Sequence, residues 1–435
     1  MIELKKPYII ALATILILVG LRIAIINYPS PSLPPEQCIE KPPTECALIF
    51  DEYYYVPAAR KLLNGEAVNN EHPPLSKLLI ALGIRVFGDN PTGWRFFPSI
   101  LSSIAVGFLV LLAWELTRRM VAVWVSAVLL GADIMFLNVG SIAILDGPAV
   151  FFTVLGAFLY IRNQYILSGL ILSLALLSKT SSLFAYLGLL TYTFLNSLSD
   201  GGWGDAVQKT LRAFERTSIP MMALFLAGLT VYDLWFGAYN NPFAHLDYML
   251  AYHTQLRYTC VSYTLPFRCV ERSGTIIDLP FSWISPIQQF QPMPFNVVTA
   301  SAGEKTWHPI AYWGIYSPYW WTTLVVIPTA IHRIIINRRN HVDIKVESFT
   351  LSWLALNYGI YYPIAYLFNR WVYPFYFVMS LPGLVIGLSY MLDDGKFSRA
   401  VLLAITVAQL LWAFIYFPVR SDPHIEILRA LNLPT

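Results

Sequence analysis

Long apolar runs recur along almost the whole chain, and they leave few folds open. About 20 apolar residues cross a bilayer as a helix, which satisfies its own backbone polar groups where no water is present. The first run, from about Tyr8 to Ile26, is that long. Lys5 and Lys6 precede it and no small-residue cleavage site follows, so it reads as a retained first span rather than a removed signal peptide. Further spans fall near Phe97–Glu115, Val121–Val139, Ile142–Tyr160, Tyr165–Leu177, Ser181–Leu195 and Ile219–Phe236. The last four fall near Tyr319–Ile336, Phe349–Leu367, Val372–Leu392 and Ala400–Phe417. The expectation is an all-α polytopic membrane protein, one transmembrane domain over residues 1–435 with about eleven transmembrane helices.

Composition supports this reading. Hydrophobic residues make up 56% of the chain and charged ones 13%, against roughly a quarter charged in soluble proteins. A net charge of +3 and the absence of a long basic run exclude a nucleic-acid partner. Gly-rich phosphate loops, CxxC pairs and HExxH are also missing.

Charge distribution sets an orientation. With Lys5 and Lys6 cytoplasmic, the inner loops hold Arg118-Arg119, Arg162, Lys209/Arg212/Arg216, Arg338-Arg339 and Lys396/Arg399. Each carries Lys or Arg, as the positive-inside rule requires. Two long outer loops, about 29–75 and 237–316, then share the opposite face. From His72 to Phe87 the first loop carries a surface helix with Leu75, Leu78, Leu79 and Leu82 on one side. A polar, basic loop is expected from Asn196 to Thr217. Cys38 and Cys46 fall in the first outer loop, Cys260 and Cys269 in the second, and two short-range disulfides on an oxidising face are expected.

Chemistry-bearing residues gather at that outer face. In FDEYYY, Asp51 and Glu52 fit a general base with a second carboxylate, or a solvated turn capping a helix that begins near Tyr53. Glu71-His72-Pro73-Pro74 is held extended by its prolines. It is either a hydrogen-bonded loop element or part of a metal site, which outer-loop His245, His253 or His308 would complete. Asp146, in AILDGPAVFF, is a functional carboxylate at the end of a span or a helix cap; Asp133 is expected to be a buried structural carboxylate. Lys179 and Arg370 lie at the same level, where a cation pairs with a lipid phosphate, snorkels to the interface or pairs with Asp146.

At these residues the chain resembles the protein O-mannosyltransferases, within the GT-C group of multi-span glycosyltransferases that use polyprenyl-phosphate sugars. The resemblance rests on Asp51-Glu52 after the first span, HPPLSKLLIALG (His72 to Gly83), ILDGPAVFF (Ile144 to Phe152), the Lys179 segment and Tyr373–Pro382. It implies inverting transfer of a sugar, mannose in that family, from a dolichyl- or other polyprenyl-phosphate donor to Ser or Thr hydroxyls of a protein. Asp51 would be the base, Glu52 and Asp146 would shape the acceptor side, and Lys179 and Arg370 would hold the lipid phosphate. Tyr53, Glu71, His72 and His308 would shape the acceptor region.

The second outer loop is too short for the folded insert of the eukaryotic enzymes, which implies a prokaryotic plasma-membrane protein with the site outside. The Glu71-His72 form is also similar to lipid A aminoarabinose transferases, where a glutamate here helps hold a metal ion. That similarity keeps a divalent ion at Glu71 and a lipid acceptor open. The WWDYG signature of oligosaccharyltransferases is missing, since Trp320-Trp321 is followed by Thr322. A transporter would place its charges at mid-membrane and repeat its halves, and neither pattern is present.

Overall fold

A 27-residue helix, α4 (Pro91–Thr117), forms the axis of the molecule. Asn90 starts it by accepting the Gly93 amide hydrogen, and Pro91 occupies the first turn, where no N–H is needed. Around α4 pack α1 (Lys6–Ile25), α3 (Leu75–Phe87), α5 (Met120–Gly131) and α7 (Asp146–Ile161). Glycine permits two of these approaches: a Cβ at Gly83 would lie 2.1 Å from the Gly93 oxygen, and one at Gly147 would lie 2.4 Å from Ser102 Oγ. Helix α8 (Tyr165–Ser178) folds back along α7 and packs on α9 (Ser182–Phe236). The computed structural model describes residues 6–39, 42–265, 267–286, 300–302, 305–307, 317–340 and 342–432.

Among the described residues five helical stretches are long and apolar enough to cross a membrane: Lys6–Ile25, Pro91–Thr117, Gly201–Phe236, Pro374–Met391 and Lys396–Ile415. Helices α5, α7 and α8 are apolar but shorter. The chain is an integral membrane protein. Helix length alone does not reproduce the expected eleven spans, because several apolar runs are interrupted. The run Val121–Val139 divides at Asp133 into α5 and α6 (Ile134–Val139). Asp133 is a buried structural carboxylate, as expected. It accepts from the Phe136 amide and, at 2.8 Å each, from the Tyr319 hydroxyl and the Trp320 indole. The run Ile142–Tyr160 becomes helical only at Asp146, and Phe349–Leu367 widens into π-turns after Leu354.

One expectation needs correction. The Asn196–Thr217 segment is helix, not loop: α9 runs through it, broken only at Gly202 (φ 77°). The surface helix expected from His72 is α3, which begins at Leu75: Ser76, Lys77, Ile80, Ala81 and Ile84 are buried on its inner side, Leu75, Leu78 and Leu79 are half-buried, and Leu82 is exposed.

The segment after α1 holds α2 (Glu52–Leu63) and α3. The segment after α9 holds α10 (Pro242–Gln255) and an antiparallel sheet of β1 (Cys260–Thr264), β2 (Arg268–Glu271) and β3 (Ile276–Asp278) in that order. Cys38 bonds Cys46 and Cys260 bonds Cys269, the pairing expected from the sequence.

Candidate active site

Asp51 and Glu52 are adjacent at the start of α2, and the helix sends them in different directions. Successive helical residues project about 100° apart. Glu52 is fully buried: its carboxylate takes Arg95 Nε at 2.7 Å and Nη2 at 2.8 Å, the Ala143 amide at 2.8 Å and the Ile49 amide at 3.0 Å. Arg95 also donates to the carbonyls of Ile26, Tyr28 and Ala47. Glu52 therefore ties α2, α4 and the turn before α7 together, and it does not line the cavity.

Asp51 does line it. It stands at the N-cap position, yet its side chain makes no capping bond, so the carboxylate is left to the cavity. Burial, with the Asp146 charge behind it, pushes Asp51 up to about 7, and Lys179 opposes the rise. A carboxylate poised there takes a proton near neutral pH.

The cavity has a volume of about 580 Å³ and draws its walls from distant parts of the chain. Tyr53, Asn69, Glu71 and His72 come from the segment between α1 and α3, Tyr252 and His253 from the end of α10, and Arg370, Tyr373, Phe375 and Tyr376 from the stretch before the helix Leu381–Met391. A backbone pairing places Arg370: Tyr258 N donates to Asn369 O at 2.9 Å and Trp371 N to Leu256 O at 3.0 Å. Its guanidinium donates to the His253 and Trp371 carbonyls at 3.1 and 2.6 Å and to His253 Nδ1 at 2.8 Å. Burial, followed by the Arg370 charge, lowers His253 to about 4, so its ring is neutral. Among the described residues no carboxylate lies within ion-pair distance of Arg370. Its charge opens on the cavity without a matching anion.

Lys179 follows the last residue of α8. Its ammonium pairs with Asp146 at 2.7 Å and lies 4.9 and 4.8 Å from the centres of the Phe375 and Tyr376 rings. Asp146 is the first residue of α7 rather than its cap, and it meets the cavity only through Lys179. His72 packs edge-on against Tyr55 and tilts against His253, with centroids 5.9 and 5.2 Å apart. Burial, then the His253 ring, pushes His72 well below the ordinary histidine range.

Residues 68–72 are held from two sides. Lys77 is buried beneath them and donates to the carbonyls of Val68 (3.4 Å), Asn69 and His72 (2.9 Å). His245, one of the histidines considered for a metal, lies elsewhere: Nδ1 meets Asp233 at 2.7 Å and Nε2 meets the Asn70 carbonyl at 2.9 Å. It is a latch on the loop. His308 lies outside the described residues. At Glu71, where the sequence leaves a divalent ion open, the carboxylate accepts from the Asn69 amide at 2.7 Å. Among the described residues no three His, Cys, Asp or Glu groups stand close enough to hold a metal.

The structure thus brings together Asp51, Tyr53, Glu71, His72, Lys179 and Arg370, and sets Glu52 and Asp146 behind them. Sequence reasoning missed Arg95, Asn69, Tyr252 and Tyr376; His253, grouped with Glu71 and His72, lines the same cavity as they do and also meets Arg370. The Tyr373–Pro382 segment was the only signal near Tyr376, and Tyr252 had none.

The chain is similar to known proteins in one segment of sequence and in overall fold. Residues 71–203 match the family model described as dolichyl-phosphate-mannose-protein mannosyltransferase. A polyprenol-phosphate-mannose–protein mannosyltransferase of Mycobacterium tuberculosis is 35% identical over 125 residues, 27% of this chain and 24% of that protein. One from Corynebacterium glutamicum is 33% identical over 129 residues, 27% and 25% of the two chains. The match thus spans about a quarter of either relative. The solved S. cerevisiae protein O-mannosyltransferase Pmt1–Pmt2 complex, bound to the sugar donor, superposes with a TM-score of 0.57 at 12% identity. It covers 96% of this chain and 90% of that one, a likeness of fold.

Proposed function

For a chain with a mannosyltransferase segment on a GT-C fold, we propose an inverting glycosyltransferase that moves a sugar, mannose first among candidates, from a polyprenyl- or dolichyl-phosphate donor to Ser or Thr hydroxyls of a protein. The observation that carries this reading is the pairing, in one cavity, of a carboxylate that makes no capping bond and titrates near 7 with a cation that has no carboxylate partner among the described residues. An acid–base group and a phosphate-binding group are the two parts such a displacement needs.

In the proposed reaction the acceptor hydroxyl gives its proton to Asp51 as its oxygen bonds to the anomeric carbon. The bond from that carbon to the phosphate oxygen breaks on the opposite side, which inverts the configuration. The electron pair leaves with polyprenyl phosphate. Arg370 binds the phosphate directly, and Lys179, oriented by Asp146, adds a second positive charge. Tyr53, Glu71 and His72 line the acceptor side. Positioning supplies the rest of the acceleration.

The same proposal includes eleven spans forming one domain, the outer loops at about 29–75 and 237–316, a cytoplasmic N-terminus and a prokaryotic plasma membrane with the site facing outside. Purified protein given dolichyl-phosphate-mannose and a Ser/Thr-rich peptide should mannosylate the peptide. Turnover of the donor onto a lipid but never onto the peptide would overturn the protein acceptor.

Two further results are expected in that assay. The transfer rate should fall about tenfold per pH unit below about 7 and level off above it, because only ionised Asp51 accepts a proton and its raised value keeps it protonated in acid. A rate flat from pH 5 to 8 would remove Asp51 as the base. Arg370→Met should weaken donor binding about ten- to a hundredfold, the worth of one charge-assisted hydrogen-bonding group, as read by donor titration.

A further inference from the structure

A second cationic site lies at the far end of the α7–α8 hairpin. Asp146 and Lys179 mark the end of that hairpin at the candidate active site; Ile161 and Tyr165 mark the other. Sixteen residues of α7 separate the two ends by about 24 Å. There a cavity of about 280 Å³ is lined by Asn163, Tyr165, Asn196, Lys209, Arg212 and Arg216, among others. The three cations stand at spacings of three and four on α9 and so share a face. Lys209 pairs with Asp205 at 2.7 Å. Among the described residues neither Arg212 nor Arg216 has a carboxylate within ion-pair distance.

The stretch carrying these cations is built for a membrane surface. From Gly201 to Phe236 the helix runs 36 residues, about 54 Å, well beyond the ~30 Å of a hydrocarbon core. Its first turns therefore lie at headgroup depth. They follow the break at Gly202, and Trp203, Val207, Leu211 and Phe214 form an exposed apolar stripe at spacings of four, four and three. An interfacial Trp and a cationic face on the turns that extend past the hydrocarbon core stand at the depth of the lipid phosphates. The cavity lies across the helix from that stripe, on the side that carries Lys209, Arg212 and Arg216. Its neutral lining groups can hydrogen-bond a phosphate: Tyr165 donates to Asn163 Oδ1 at 2.9 Å, and among the described residues the Asn163 side-chain amide has no acceptor.

We propose that this cavity binds the phosphate of an anionic membrane phospholipid, through Arg212 and Arg216 with Lys209, Asn163 and Asn196, at the membrane face opposite the candidate active site. The proposal does not depend on the transferase reading.

The test uses the full chain in nanodiscs of phosphatidylcholine with a minor fraction of phosphatidylglycerol, released into the gas phase for native mass spectrometry. Wild-type protein should retain phosphatidylglycerol in preference to phosphatidylcholine. Arg212→Gln/Arg216→Gln should hold it roughly thirtyfold more weakly, with an unchanged unfolding temperature. Arg85→Gln, which removes an exposed cation from α3, should hold it as wild type does. Equal retention by wild type and double variant would overturn the site and leave ordinary snorkelling arginines. Loss of phosphatidylglycerol to millimolar inorganic phosphate would overturn a lipid ligand in favour of a soluble one. If the double variant fails to fold, Arg216→Lys and Arg212→Lys measured singly decide, each expected to keep binding.

Discussion

Asp51→Asn should lower sugar transfer by about a hundred- to ten-thousandfold, the usual contribution of a general base, with the fold and donor binding intact. The asparagine amide keeps the volume of the carboxylate but cannot accept the hydroxyl proton. The fold should not suffer, because the Asp51 carboxylate caps nothing, and its removal also ends a repulsion with Asp146. The unfolding temperature of the variant should therefore equal or slightly exceed that of the wild type. A marked drop would mean that Asp51 is structural, and single-turnover transfer at the wild-type rate would remove it from the reaction.

Its neighbour should behave in the opposite way. Glu52→Ala should cost about 3–5 kcal/mol of stability, the range for breaking one side of a buried ion pair. The Arg95 guanidinium would be left buried without its carboxylate, and the Ile49 and Ala143 amides would lose their acceptor. Arg95→Ala should cost a similar amount. The double variant should lose less than the sum, since each change alone strands the other group. Thermal unfolding in detergent reads all three. If Glu52→Ala folds as well as the wild type and fails only in transfer, Glu52 belongs to the reaction and the structural assignment is wrong.

Asp51 and Glu52 also mark the limit of what sequence reveals here. Composition and run length identify a helical membrane protein, and local motifs at 51–52, 71–72, 179 and 370 pick out side chains that the fold does bring to one cavity. A linear pattern cannot say that two adjacent carboxylates part ways. That depends on Arg95, 43 residues on, waiting in α4 for one of them. His253 shows the same limit: the pairing of 256–258 with 369–371 carries it to Arg370, and no local spacing encodes such a contact. The Asn196–Thr217 segment was misread for another reason. Its polar and basic residues suggest a loop, but its apolar positions recur with helical period, and the helix is amphipathic rather than absent. Asp133 is a polar residue whose hydrogen bonds to a neighbouring segment divide an apolar run that looks continuous.

The central claim is that one cavity divides the work, with Arg370 holding the lipid phosphate and Asp51 taking the acceptor proton. The most direct measurement compares wild type, Asp51→Asn and Arg370→Met in nanodiscs, reading dolichyl-phosphate-mannose binding and peptide mannosylation separately. Asp51→Asn should bind donor like wild type and transfer almost nothing, while Arg370→Met should lose donor affinity first and recover part of its rate at high donor. Asp51→Asn transferring at the wild-type rate, or Arg370→Met binding donor unchanged, would contradict the account.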